Sequence, residues 1–214
     1  PLETLDQRGG DCDDLSVLYC ALLESIGVET ALITTPGHIF VAFALATGAQ
    51  DARKQFLYPD ELIIQSGKAW VPVEVTARGQ GFMKAWQAGA KEWRENAAHG
   101  SAALYPVHEA WTVYEPVGLP GTPAIETPNR DRCLTAYSTQ VERFVDRELA
   151  PRVSQLRAEI DRTQNSSASV NKLGILYAQY GLDDKAIEQF RGILDRSEYV
   201  PALLNTGNLY FLKG

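Results

Sequence analysis

Residues 9–16 read Gly9-Gly10-Asp11-Cys12-Asp13-Asp14-Leu15-Ser16, and they set where the first long helix of the fold begins. Two glycines make a turn, and the acids after them open a helix. Leu15, Leu18, Tyr19, Leu22, Leu23 and Ile26 recur at spacings of three and four, which predicts one buried helical face running to Ser25. Gly27, just past the last turn, ends it. Cys12 therefore falls in the first turn of a helix. Unpaired N–H groups and the helix dipole favour an anion there, and a thiolate is such an anion. The same amides suit an oxyanion. Asp11, Asp13 and Asp14 oppose the thiolate by like charge, and they also read as capping residues. Cys20 sits mid-helix without that help, and Cys133 lies far along the chain.

Beyond the helix, residues 28–34 read as a strand, Pro36-Gly37 as a turn and residues 38–45 as a second strand. Residues 48–54 are polar and loop-like. Residues 61–65 and 69–76 predict two more strands about the turn Ser66-Gly67. Residues 82–97 predict a helix with Phe82, Trp86, Ala90 and Trp93 on one face, and residues 105–113 a further strand. Four prolines (Pro116, Pro120, Pro123 and Pro128) with Gly118 and Gly121 then favour extended chain and mark a boundary. From Asp131 the pattern is helical, with Leu134, Tyr137, Val141, Phe144, Val145 and Leu149 on one stripe. Pro151 is expected to break or kink that helix. Val153, Leu156 and Ile160 continue the stripe. The expected organisation is an α+β domain over 1–118, a linker over 119–130 and a helical region over 131–214.

The helical region contains a repeat. Gly174, Tyr177 and Gly181 recur as Gly207, Tyr210 and Gly214, each 33 residues on. Leu173, Gly174, Tyr177, Ala186 and Phe190 resemble the tetratricopeptide pattern L-G-x2-Y…A-x3-F. One unit spans 168–197 and a second stops after its first helix. The resemblance implies a protein partner bound by the repeats, while an ordinary helical hairpin stays open as the plainer reading. The chain starts at Pro1, without Met or signal peptide, and stops inside a repeat, so it is expected to be a piece of a longer protein.

Composition bounds the function. The 214 residues suit one or two domains, and 45% hydrophobic with 22% charged residues is an ordinary globular balance. The 27 acidic residues exceed the 20 basic ones, so no basic face for nucleic acid is expected. The longest apolar run, residues 39–46, is far short of the ~20 residues of a membrane span. Three cysteines without a CxxC pair exclude a disulfide scaffold and permit a working thiol. His99 and His108 lack ligand spacing and no HExxH occurs, so no zinc site or other cofactor is expected. Asn165-Ser166-Ser167 fits a glycosylation sequon, a short motif common by chance.

A thiolate nucleophile wants an imidazole, and the imidazole wants an orienting group. His38 follows Cys12 by 26 residues and opens an apolar strand after Pro36-Gly37. Glu74 is the one charge in the apolar run Trp70-Val71-Pro72-Val73-Glu74-Val75-Thr76. A buried carboxylate without a partner costs several kcal/mol, so Glu74 needs one. Adjacent strands carrying His38 and Glu74 side by side, facing Cys12 at a helix tip, would supply nucleophile, base and orienter.

Three motifs in this order, Gly10-Asp11-Cys12-Asp13-Asp14-Leu15-Ser16, Gly37-His38-Ile39-Phe40-Val41 and the Trp70–Thr76 run, resemble the transglutaminase-like superfamily over residues 2–77. That group is papain-like: a cysteine at a helix N-terminus packs against an antiparallel sheet that supplies histidine and acid. Its third motif usually reads W-x-x-x-D-x-T, and Glu74 stands here in place of Asp. The added methylene moves the carboxylate by about 1.5 Å unless the backbone compensates. Phe40 stands where relatives often carry Trp. The resemblance implies thiol acyl transfer on a peptide or protein amide, with peptidase-type hydrolysis favoured over crosslinking transamidation. It also implies an upstream amide in the oxyanion hole, either Gln7 or a residue ahead of Pro1. In some bacterial periplasmic relatives, acids beside the cysteine bind calcium and regulate proteolysis; Asp11 and Asp13 are the matching positions, with plain capping the alternative. A bacterial envelope or periplasmic setting follows by the same analogy. The rival from another class is a catalytically idle scaffold that binds partners through its repeats.

Overall fold

Strand-forming residues on either side of Pro36-Gly37 close into a hairpin, and the rest of the first unit is laid over it. The computed structural model describes residues 2–7, 9–117 and 127–213. Contacts divide the chain into two units, residues 1–140 and 141–214. The first begins with α1 (Leu2–Asp6), α2 (Cys12–Ser25), β1 (Thr30–Thr35), β2 (His38–Gly48) and α3 (Ala49–Gln55). A 3-10 turn (Pro59–Glu61), β3 (Ile63–Gln65), β4 (Lys68–Val73), α4 (Phe82–Ala97), β5 (Ala103–Pro106) and α5 (Val107–Trp111) follow. Among the described residues the strands form one antiparallel sheet in the order β3-β4-β2-β1-β5.

Both faces of this sheet are apolar, so both are covered. On one face Ala31, Ile33, Phe40, Ala42 and Trp70 pack together, with Trp93 of α4 against them. On the other, Val41 and Val75 meet Leu15 and Cys20 of α2. Helix α4 comes close to β4: a Cβ at Gly89 would stand 2.9 Å from the Pro72 carbonyl carbon. The mixed α/β character and the antiparallel sheet agree with the α+β expectation.

Several local expectations need correction. The buried face of α2 is Leu15, Ser16, Leu18 and Cys20, whereas Tyr19, Leu22 and Ile26 are exposed. The small Ser16 and Cys20 let the helix sit close on β2, and the Ser16 hydroxyl donates to the Ile39 carbonyl at 3.4 Å. The polar stretch after Gly48 is helix α3, with Asp51 in its first turn, Arg53 and Lys54 in its last, and Ala52 buried. Those charges suit the helix dipole. The expected strand over 105–113 ends at Pro106, which has no N–H to extend a ladder, and α5 follows. Strand β4 stops at Val73 because the next amide, Glu74 N–H, turns to the Ala85 carbonyl of α4. The proline-rich linker expected over 119–130 lies mostly outside the described residues; Arg130 already begins a helix.

That helix, α6 (Arg130–Arg162), runs through Pro151 without ending. The proline removes one donor, but Leu149 before it and Ile160 after it are both buried in one core, which holds the helix on either side. Of the expected stripe, Leu134 and Tyr137 are exposed. Among the described residues no helix is long and apolar enough to cross a membrane.

In the second unit α7 (Ser167–Gln179) and α8 (Asp183–Leu194) form an antiparallel hairpin, and α9 (Val200–Lys213) follows. Tyr177, Ala186 and Phe190 are buried in its core. Gly174 decides the approach of α7 to α8, since a Cβ there would stand 2.4 Å from the Phe190 ring. Its repeat equivalent, Gly207 on α9, has nothing within 4 Å of that position. The two glycines therefore make opposite predictions. Gly174→Ala forces an overpacked core and is expected to destabilise the helical unit by about 1–2 kcal/mol. Gly207→Ala gains helix propensity and is expected to stabilise it by up to about 1 kcal/mol. Denaturant unfolding of both variants followed by circular dichroism checks the pair.

Candidate active site

The site is built at the turn end of the β1–β2 hairpin. His38 is the first residue of β2 and pairs with Thr35 across the turn. Its neighbour β4 pairs with Val41 opposite Val73 and Ala42 opposite Pro72. Continuing that register by one step sets Glu74 level with Phe40, on the same side of the sheet as His38. The His38 ring stacks on Phe40, with centroids 5.8 Å apart. His38 Nε2 and Glu74 Oε2 are 2.6 Å apart. The histidine side chain is 27% exposed and the glutamate 12%, so the pair is largely but not wholly removed from water.

The second carboxylate oxygen is also occupied. Glu74 Oε1 accepts from the Thr76 amide at 2.9 Å and from the Thr76 hydroxyl at 2.5 Å. Both oxygens are thus held by hydrogen bonds. With Glu74 as acceptor, Nε2 carries the proton in the neutral ring. That leaves Nδ1 as the ring's basic nitrogen.

Cys12 is the first residue of α2, and Asp11 is its N-cap, with Asp11 Oδ1 accepting from the Asp14 amide at 3.2 Å. Gly10 is required just before it: a Cβ there would stand 2.6 Å from Asp14 Cβ. Cys12 and Ser16 share a helical face, and Ser16 touches the backbone of Ile39, next to His38. Cys12 lies one turn, about 6 Å, further along the axis. It is partly exposed, and its thiol donates to Asp13 Oδ1 at 3.4 Å. No hydrogen bond joins it to His38 among the described residues. The structure therefore brings His38 and Glu74 into contact on the face of the sheet that carries Phe40, whereas Cys12 belongs to α2, which packs on the opposite face; the expected arrangement in which the pair faces Cys12 is met only in that α2 touches the same strand through Ser16.

The other expected residues fall as follows. Gln7 donates its side-chain amide to Glu3 Oε1 at 3.4 Å, one turn back on α1. Asp11 serves as a cap and Asp13 as acceptor for Cys12; among the described residues no group of three or more His, Cys, Asp or Glu side chains converges on a metal position. Thr76 was visible in the sequence as a motif match, but its grip on Glu74 was not.

A second arrangement repeats the first. Glu24 Oε1 accepts from the Thr30 amide and hydroxyl, both at 2.7 Å, and Glu24 Oε2 lies 2.8 Å from His108 Nε2. Nothing in the sequence spacing announced it, since Glu24 and His108 are 84 residues apart. Its nearest thiol is Cys20, which is buried, and burial pushes that thiol up against the opposing hydrogen bond with Thr30. Comparison with family models, curated proteins and solved structures found no match.

The three cysteines should differ in reactivity. In the folded protein iodoacetamide is expected to label Cys12 and Cys133, while Cys20 reacts roughly a hundredfold more slowly because it must await local opening. Mass spectrometry before and after denaturant reads this directly.

Proposed function

We propose that the first unit is a papain-like, transglutaminase-like thiol enzyme that cleaves peptide or protein amides. The observation that carries this reading is the His38–Glu74 hydrogen bond at 2.6 Å, on the strand beside the helix turn that presents Cys12. Glu74 orients the ring and stabilises the imidazolium, His38 moves the proton and Cys12 is the nucleophile. In the free protein the Cys12 thiol is turned to Asp13. Catalytic hydrogen bonds of free enzymes are often long or misaligned and tighten when substrate binds.

The chemistry balances within these groups. His38 Nδ1 takes the Cys12 proton as sulfur bonds to the carbonyl carbon. The oxyanion so formed lies near the first amides of α2, where the helix dipole favours it. As the C–O double bond re-forms, the C–N bond breaks, and the amine leaves with the proton from His38. Water then attacks the thioester, gives a proton to His38, and sulfur departs to recover the thiol as the acid is released. An amine in place of water would give transamidation by the same steps.

The helical unit supports a second reading, protein interaction. Its α7–α8 packing through Gly174 and Phe190 fits a tetratricopeptide hairpin, and Leu203, Leu204 and Phe211 on α9 stand exposed. Two measurements weigh the readings. If the first unit is an enzyme, Cys12 is alkylated at least tenfold faster than the exposed Cys133, slows to the Cys133 rate in His38→Ala, and any amide hydrolysis is lost in Cys12→Ser. A Cys12 no faster than Cys133 and indifferent to His38 would refute the enzyme and leave the scaffold.

A further inference from the structure

We infer that Thr76 is the positioning residue of this site: it fixes the Glu74 carboxylate so that His38 is held with its proton on Nε2 and its basic nitrogen, Nδ1, free. The inference rests on the reading of Cys12, His38 and Glu74 as catalytic, and it explains how glutamate serves as orienter.

A glutamate has one more rotatable bond than an aspartate, and holding it in one geometry costs more conformational entropy. Glu74 stands beyond the last residue of β4, where the ladder no longer fixes its backbone. Its amide is tied to Ala85, which leaves the carboxylate to be fixed by other donors. Thr76 supplies two, the amide at 2.9 Å and the hydroxyl at 2.5 Å, both on Oε1. The chain is therefore folded back over two residues, and the remaining oxygen, Oε2, is aimed at His38 Nε2. The extra methylene is absorbed in that loop. Thr76 is exposed and lies outside the buried core, so its hydroxyl contributes through Glu74 and not through packing.

The amide donor survives every substitution at residue 76 except proline, so the hydroxyl is what Thr76→Val and Thr76→Ser test. Thr76→Val keeps the shape and removes the donor; Thr76→Ser keeps the donor. Loss of a hydrogen bond to a charged group is expected to slow Cys12 alkylation about tenfold in Thr76→Val, with Thr76→Ser within about twofold of the parent. The positioning role is read separately by long-range proton–nitrogen correlation spectra of the His38 ring, assigned with His38→Ala and His108→Ala. The parent is expected to show the Nε2–H tautomer, Thr76→Val a mixture with Nδ1–H, and Thr76→Ser the parent pattern again. A folded Thr76→Val with an unchanged ring spectrum overturns the inference. If Cys12 in the parent ignores His38 while the ring spectra shift as expected, the catalytic reading is overturned and the positioning of the pair by Thr76 stands.

Discussion

The antiparallel register of β2 against β4 is the constraint on which the site depends. With Val41 opposite Val73, Phe40 falls level with Glu74, and His38 and Glu74 come to the same side of the sheet. A slip of one residue would send Glu74 to the opposite face, against Leu15 and Cys20 of α2. The register is held by burial on both faces. Phe40 and Trp70 occupy one core, Val41 and Val75 the other, and no slip satisfies both. Gly89 adds a further lock, because α4 rests directly on the β4 backbone at Pro72. The His–Glu contact is thus a consequence of core packing and not a separate device.

The same bonding pattern occurs twice in one unit, which separates structure from chemistry. Glu24 with Thr30 and His108 reproduces Glu74 with Thr76 and His38, atom for atom in donors and acceptors. In the second arrangement the histidine is the exposed member, at 55%, and the carboxylate is only 9% exposed. It ties α5 to α2 and β1, and it supplies the buried Glu24 carboxylate with partners that burial demands. The thiols nearest in the fold also differ: Cys12 is partly exposed at a helix N-terminus and hydrogen-bonded to Asp13, whereas Cys20 is buried mid-helix. A histidine–carboxylate pair alone therefore says little about activity; access of the nearest thiol is what distinguishes the two.

Much of this was legible in the sequence for physical reasons. The helix from Cys12, the hairpin about Pro36-Gly37 and the helix from Phe82 are strongly periodic or sharply punctuated, and the sequence reading located all three to within a few residues. Burial on α2 runs against side-chain size: Tyr19 and Leu22 carry more apolar area than Ser16 and Cys20, but the close approach to β2 selects small side chains. Helix α3 was hidden by its polar composition, and the continuity of α6 by Pro151, since core contacts on both sides outweigh one lost donor. His38 and Glu74 were legible as polar residues at apolar strands that must find partners. The Thr76 contact was not, because it depends on β4 ending one residue before the carboxylate. The Glu24–His108 pair was not, because it joins elements far apart in the chain.

The helical unit shows why a repeat in sequence is not a repeat in environment. Gly174 and Gly207 occupy the same place in the 33-residue pattern, as do Tyr177 and Tyr210. Tyr177 is buried while Tyr210 is half exposed and receives a hydrogen bond from Arg191 at 2.6 Å. Helix α9 is held by Ala202 and Leu209 in the core and by the Asn205 amide on Asn171 at 3.1 Å, a small share of what α7 buries. Each large apolar side chain left in water forgoes about 1.5–3 kcal/mol of burial, and Leu203, Phe211 and Leu212 are all left so. The stability of this unit therefore resides in α7, α8 and the end of α6, where the knob of Phe190 meets the space over Gly174. Helix α9 carries the same pattern with Leu203, Phe211 and Leu212 left exposed.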